Sequence, residues 1–328
     1  MPSLSDDHLL EILPVDISPF RQGTGGTEYS TTLDSGKPGP HVMITALTHG
    51  NELCGAHALR WLFERDFRPR QGRLTLSFAN WEAYLSFDRN DPFASRFLDE
   101  DLNRVWTEER LNGGKDHPLP SRELKRAREL LPLISSADFL LDIHSMHLFS
   151  PPMLLAGMQP RALELSLGLG LPEYVVMDPG HAAGRRMRDH GGFDDPQGSR
   201  TAILAECGQH WSRDSVETAI KIMTRFLEET GMAAPGSFDD LAQGEAREPA
   251  PPQKVLQVSR VITINNDDFH FTRELNSMDI IREQGTLVAL DGREEIRTPH
   301  PDCYMIMPGW NLRKGQTAVR FGRLVTPG

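Results

Sequence analysis

The stretch His41–Asp66 reads HVMITALTHGNELCGAHALRWLFERD. Its first half is apolar from Val42 to Leu47 but for Thr45 and closes at Gly50. That pattern predicts a strand buried on both faces rather than an alternating, half-solvated one. Its second half carries Leu53, Cys54, Ala56, Leu59 and Leu62 at helical spacing. A buried strand running directly into a helix is half of a βαβ unit, and such a unit implies a parallel sheet covered by helices. His49 and Glu52 lie at the junction, the carboxyl end of the strand, where open α/β sheets place their ligands.

The same grammar extends in both directions. GRLTLSFAN (72–80), DFLLDIHS (138–145), MLLAG (153–157), YVVMD (174–178) and TAILAEC (201–207) read as strands. SRELKRARELLPLISSA (121–137), RALELSLGLG (161–170) and SVETAIKIMTRFLEE (215–229) read as helices. Residues 82–118 form a polar connection, and a connection that long usually serves function. Composition changes at GMAAPGSFDDLAQGEAREPAPPQ (231–253), which is rich in Pro, Gly, Ala and acid. Beyond it KVLQVSRVITI, TLVALDG, YMIMPG and TAVRFGRLV are short strand-like runs separated by turns. The expected fold is therefore α/β, a mostly parallel mixed sheet with helices on both faces, plus a small β-rich C-terminal domain. The expected boundaries are 1–232 for the α/β domain, 233–253 for a linker and 254–328 for the β-rich part.

With 328 residues, 38% of them hydrophobic, the chain can build a substantial core. Its 35 basic and 46 acidic residues leave a formal charge of −11, and no dense basic block stands out. Nucleic acid and anionic membranes are excluded as expected partners on that ground. The three cysteines, Cys54, Cys207 and Cys303, do not suggest a disulfide framework and fit a reducing compartment. The N-terminal MPSLSDDHLLEILPVD lacks the long apolar core of a signal peptide, and no run approaches the roughly 18 apolar residues of a membrane span. A cytoplasmic location is expected, and a homo-oligomer is compatible with the sequence.

Spacing alone does not make His49-x-x-Glu52 a metal site, because His8-x-x-Glu11 repeats it in an acidic segment with no strand before it. Position favours His49 and Glu52, and imidazole with carboxylate suits zinc. The plain alternative is a helix-start acid beside a loop histidine. A catalytic zinc needs a third protein ligand from another strand end. His144 closes Phe139–Ile143 and offers one, with His147 as a competitor and Asp142 as a candidate acceptor that would orient it. Glu206 ends the apolar Ala202–Ala205 and could serve as a base for water, or else be a structural acid paired with an arginine. Arg96 and Arg104, with Asn103 adjacent, flank FLDED in the long connection. Arginine forks suit carboxylates and developing oxyanions, although salt-bridged loop arginines are the commoner case. Cys54 and Cys207 could in principle ligate zinc, but buried thiols that pack as small hydrophobes are the plainer reading.

HGNE, DLNR, DIHS and AEC, in that order, resemble the succinylglutamate desuccinylase/aspartoacylase family, a branch of the zinc carboxypeptidase superfamily. The resemblance spans about residues 41–231 and extends more weakly beyond. It implies one catalytic zinc held by His49, Glu52 and His144, with Glu206 as general base and acid. It also implies Arg96 as the carbonyl-polarising cation and Asn103–Arg104 as the pair that grips the substrate carboxylate. The implied reaction is hydrolysis of a small anionic N-acyl amino acid. Two features depart from the pattern. Trp310 or Asn311 stands where aspartoacylase has a substrate-binding tyrosine. The extra arginine of relatives that use dicarboxylic substrates has four candidates here, Arg185, Arg186, Arg188 and Arg200. A zinc carboxypeptidase for short peptides and a non-catalytic small-molecule-binding relative are the two alternatives. Cleavage of acyl amino acids against dipeptides, and binding without turnover, would separate them.

Overall fold

The computed structural model describes residues 10–113, 120–181, 183–239, 252–309 and 312–325. In chain order its elements begin β1 (Ser30–Asp34), β2 (His41–Ala46), α1 (Leu53–Glu64), β3 (Arg73–Phe78) and α2 (Trp81–Leu85). They continue with α3 (Glu108–Asn112), α4 (Arg122–Ser136), β4 (Phe139–Met146), β5 (Met153–Leu155), α5 (Pro160–Gly168), β6 (Tyr174–Met177), β7 (Thr201–Gln209) and α6 (Arg213–Glu229). Strands fill the rest: β8 (Lys254–Thr263), β9 (His270–Phe271), β10 (Ile280–Ile281), β11 (Leu287–Asp291), β12 (Glu294–Arg297), β13 (Cys303–Ile306) and β14 (Thr317–Val325).

The opening strand–helix unit organises the sheet. β2 pairs in parallel with β3 on one side and with β4 on the other, and β4 pairs in parallel with β7. The alternating pleat sends successive side chains to opposite faces. Val42, Ile44 and Ala46 of β2, Leu141 and Ile143 of β4, and Ile203 and Ala205 of β7 pack in a core with α1 and α6. Met43, Leu140 and Ala202 point the other way, into a core closed by α4. By parity Asp142 and His144 share the α4 side, and Glu206 lies beside His144 in register. The continuous apolar runs are thus explained by helices on both faces, and the first polar residues past them fall at one end of the sheet.

The C-terminal region is β-rich, but it is not a separate sheet. β8 adds in parallel to β6, and β14, β13 and β10 follow antiparallel, so eleven strands run in the order β1-β3-β2-β4-β7-β5-β6-β8-β14-β13-β10. β5 lies antiparallel to β7 and parallel to β6. A small sheet of β12, β11 and β9 completes the tail. The segment expected to begin a linker is docked at first. Ala233 and Phe238 are buried, Phe238 meets the rings of Trp61 and Phe67, and Met232 O accepts from Arg70 N at 2.9 Å. Residues 240–251 lie outside the described ones, as do His8, Trp310 and Asn311. Among the described residues no helix is long and apolar enough to cross a membrane.

Candidate metal centre and cleft

His49 and Glu52 flank a tight turn, in which Glu52 N donates to His49 O at 3.2 Å. Glu52 occupies the residue before α1 but makes no side-chain cap. The caps of α4 and α6 differ, since Ser121 and Ser212 accept backbone N–H bonds there. The glutamate is thus free of capping, and its carboxylate turns to two imidazoles. His49 Nδ1 stands 2.7 Å from Glu52 Oε1, and His144 Nδ1 stands 2.8 Å from Glu52 Oε2. Ser145 N also donates to Glu52 Oε2 at 3.2 Å. Ligand atoms of His49, Glu52 and His144 lie within 4.8 Å of one another, and all three residues are buried.

The far nitrogens of both rings have carboxylate acceptors. His144 Nε2 is 2.8 Å from Asp142 Oδ2, and Asp142 Oδ1 accepts from Thr45 Oγ1 and Thr48 Oγ1, each at 2.8 Å. His49 Nε2 is 2.9 Å from Asp101 Oδ1. At His144 an Nε2–H donating to Asp142 would leave the Nδ1 lone pair facing inward, the arrangement that metal-binding histidines show. At His49 the outer nitrogen is shared, because Arg96 Nη2 also lies 2.9 Å from Nε2. Two imidazoles and a carboxylate form a donor set that fits zinc. Burial would raise the Glu52 carboxyl, but the two imidazoles against it hold it well below its usual range.

Glu206 completes this end of the sheet. It is buried, and its Oε2 has no hydrogen-bond partner among the described residues. Burial pushes its carboxyl up to about 8, against the opposing pull of His144 and with reinforcement from the Glu52 charge. Arg96 reaches the site from the long connection, with Nη2 3.1 Å from Asp101 Oδ2 and Nη1 3.5 Å from Glu52 Oε1. Burial opposes its charge, yet Asp101 and Glu52 keep its pKa raised. The path of that connection depends on Gly50. A Cβ there would sit 2.4 Å from Ala83 C and from Ser95 O, and Gly50 N donates to Arg96 O at 3.1 Å. Its role is close approach, beyond the turn that its sequence context suggests. Gly50→Ala is therefore expected to force the 83–96 backbone away, destabilise the fold by roughly 1–3 kcal/mol as overpacked sites do, and lower activity through Arg96. A urea unfolding midpoint equal to that of the parent protein would contradict this.

Asn103 and Arg104 part company. Asn103 Oδ1 accepts from Met187 N at 2.9 Å and so fixes the neighbouring loop, although the residue also lines the cleft. Arg104 reaches His181 Nε2 with Nη2 at 3.3 Å. Of the four candidate arginines, Arg186 alone lines the cleft, where Asp178 and Asp189 each bind it at 2.6 Å. Arg188 is tied to Asp189, Ala156 O and Ala202 O; Arg185 to Asp189 O and Asp194; and Arg200 to Ala137 O and Ile134 O. His147 stays out of the cluster, bonded through Nδ1 to His210 Nε2 at 3.0 Å. Cys54 Sγ faces His144 O at 3.7 Å, Cys207 is buried, and neither joins the cluster. The cleft encloses about 570 Å³, and its other wall is apolar, with Met146, Leu155, Leu204 and Met307.

Residues 38–173 match the Succinylglutamate desuccinylase/Aspartoacylase catalytic domain. Over that stretch the chain is similar to the succinylglutamate desuccinylase/aspartoacylase family. It is 32% identical over 117 residues to the N-acyl-aromatic-L-amino acid amidohydrolase (carboxylate-forming) of Rattus norvegicus, which covers 34% of this chain and 35% of that one. It is 32% identical over 146 residues to a probable aspartoacylase of Parasynechococcus marenigrum, 41% of this chain and 45% of that one. The matched region thus spans between a third and a half of these curated relatives. The fold extends further. Succinylglutamate desuccinylase of Vibrio parahaemolyticus superposes with a TM-score of 0.66 at 18% identity, covering 91% of this chain and 87% of that one.

Asp101, His181 and Arg320 were missed in the sequence. Asp101 is hidden among the acids of FLDED, although it lies just two residues before the Asn103–Arg104 pair. Arg320 carried a usable signal: it is a lone charge inside the otherwise apolar TAVRFG strand, and a charge on a buried strand needs a partner.

Proposed function

We propose that this protein is a member of that family and a zinc-dependent hydrolase that cleaves the amide bond of a small, anionic N-acyl amino acid. The observation that carries the reading is the inward pair of Nδ1 atoms on the Glu52 carboxylate, with an unpaired Glu206 oxygen beside them. His49, Glu52 and His144 would hold the metal. When bound, zinc supplies Lewis acidity, polarising the acyl carbonyl and acidifying water. Glu206 accepts the proton of the attacking water and hands it to the amide nitrogen as the C–N bond breaks, giving a carboxylic acid and a free amine. Arg96 presents a guanidinium at the same end of the cleft, suited to the oxygen on which charge develops. Asp142 holds the His144 imidazole in its tautomer, and Asp101 and Arg96 together brace His49. Arg104 meets the substrate carboxylate.

A panel of N-acetyl, N-succinyl and N-aroyl amino acids, with dipeptides alongside and zinc present, tests the proposal. Turnover of at least one acyl amino acid is expected, abolished by a chelator and restored by zinc. Chelator-insensitive turnover would remove the metal, and cleavage of dipeptides alone would turn the reading to a carboxypeptidase.

A further inference from the structure

Arg104 and Arg320 enter the cleft from distant parts of the chain and aim at one atom. Arg104 Nη2 lies 3.3 Å from His181 Nε2, and Arg320 Nη2 hydrogen-bonds to the same nitrogen. A guanidinium has only donors, and an imidazole nitrogen has a single lone pair, so His181 satisfies one fork at a time. His181 Nε2 must be the acceptor, which puts the proton on Nδ1, where Thr317 Oγ1 lies at 3.1 Å. Two cations therefore converge on a neutral ring.

Among the described residues, nearby carboxylates do not fill the gap. Asp178 is held by Arg186 at 2.6 Å and meets Arg320 only through Nε at 3.3 Å. Asp101 is shared by His49 and Arg96. The bonds described for Arg104 go to Asn103 O and His181, both uncharged acceptors. Arg320 is 3% exposed, and all three residues line the cleft beside Glu206. A buried and a half-buried guanidinium facing one weak acceptor are arranged for a planar anion, whose two oxygens offer about four lone-pair sites.

We propose that Arg104, Arg320 and His181 form a carboxylate seat built across the α/β part and the C-terminal strands, and that Arg320 is the residue that makes the cleft demand an anionic substrate. The inference deepens the deacylase reading and rests on it for the identity of the anion, the free carboxylate of the acyl amino acid. It also gives β14 a direct part in recognition. The competing role for Arg320 is a brace that ties β14 to Asp178.

The test compares Arg320→Met and Arg320→Lys with the parent protein on an acyl amino acid and its neutral carboxamide. The parent is expected to favour the acid by on the order of 100-fold in kcat/KM, the scale of one buried charged contact. Arg320→Met should lose that preference, chiefly through KM, while the carboxamide rate holds. Arg320→Lys should recover part of it. A brace would lower both substrates together along with the thermal midpoint, leaving the ratio unchanged, and that outcome overturns the seat. Binding separates this from failure of the deacylase reading. N-acetylglycine and N-acetylglycinamide are titrated calorimetrically into zinc-replete Glu206→Gln protein, with and without Arg320→Met. Acid-selective binding lost on removing Arg320 supports the seat whatever the turnover panel shows. Equal binding of the two probes, or binding of neither, overturns it.

Discussion

Glu206→Gln is expected to keep zinc at the parent level and to lose about 10³-fold in kcat, the scale on which a general base contributes. Glu206 is outside the His49, Glu52 and His144 cluster, so metal content should not respond. Glutamine has the same shape but accepts no proton from water. The change should also spare stability. Burial already raises the carboxyl to about 8, so a neutral amide resembles the protonated form that the pocket favours near pH 7 in the absence of metal. The signs fix the pH profile. A base works deprotonated, so kcat/KM falls as pH drops through its pKa, and a divalent cation nearby lowers that pKa below 8. An acid limb below pH 8 is expected in the parent and should vanish from the residual rate of the variant. Unchanged kcat with zinc bound would end the role of Glu206 as base.

The strands were legible because burial on both faces leaves a plain signature. Val42–Leu47, Phe139–Ile143 and Ala202–Ala205 are apolar but for Thr45 and Asp142, and each is followed by a polar residue at the sheet's carboxyl edge. A period-2 reading then puts Asp142 and His144 on one face, which made their contact foreseeable. The continuous sheet was not legible. Whether β8 adds to β6 or starts a new sheet depends on pairing across eighty residues, and nothing local in KVLQVSRVITI encodes its neighbour. The long connection resisted reading for a similar reason. Its shape is set from outside by Glu123 of α4, whose carboxylate accepts from Leu98 N, Asp99 N and Glu100 N at 2.7, 3.1 and 3.3 Å. That anchoring delivers Asp101 to His49, whereas the sequence shows only one acid among several. Arg320 was lost because a strand far down the chain supplies it to a cleft that the earlier strands define.

The second large effect concerns how the imidazoles are held. His49→Ala with His144→Ala is expected to abolish stoichiometric zinc, since a lone carboxylate is a poor zinc site. Asp142→Asn is the subtler case, because it touches no ligand position. Asp142 now accepts three hydrogen bonds, from Thr45, Thr48 and His144 Nε2. An asparagine can present its carbonyl to His144, which keeps the tautomer but removes the charge that makes the ring a strong ligand. Alternatively it presents its NH₂ group, which demands a lone pair at Nε2 and moves the proton to Nδ1, where it faces Glu52. Either orientation weakens the site, by roughly 10–100-fold in zinc affinity, the usual loss on removing an acceptor behind a metal-bound histidine. Competition with a chromogenic chelator reads this directly, and an unchanged circular dichroism spectrum would show that the fold persists. Because the loss acts through binding, excess zinc should restore most of the turnover of Asp142→Asn and none of that of Glu206→Gln. Parent-like zinc affinity in Asp142→Asn would mean that His144 holds its tautomer without the carboxylate.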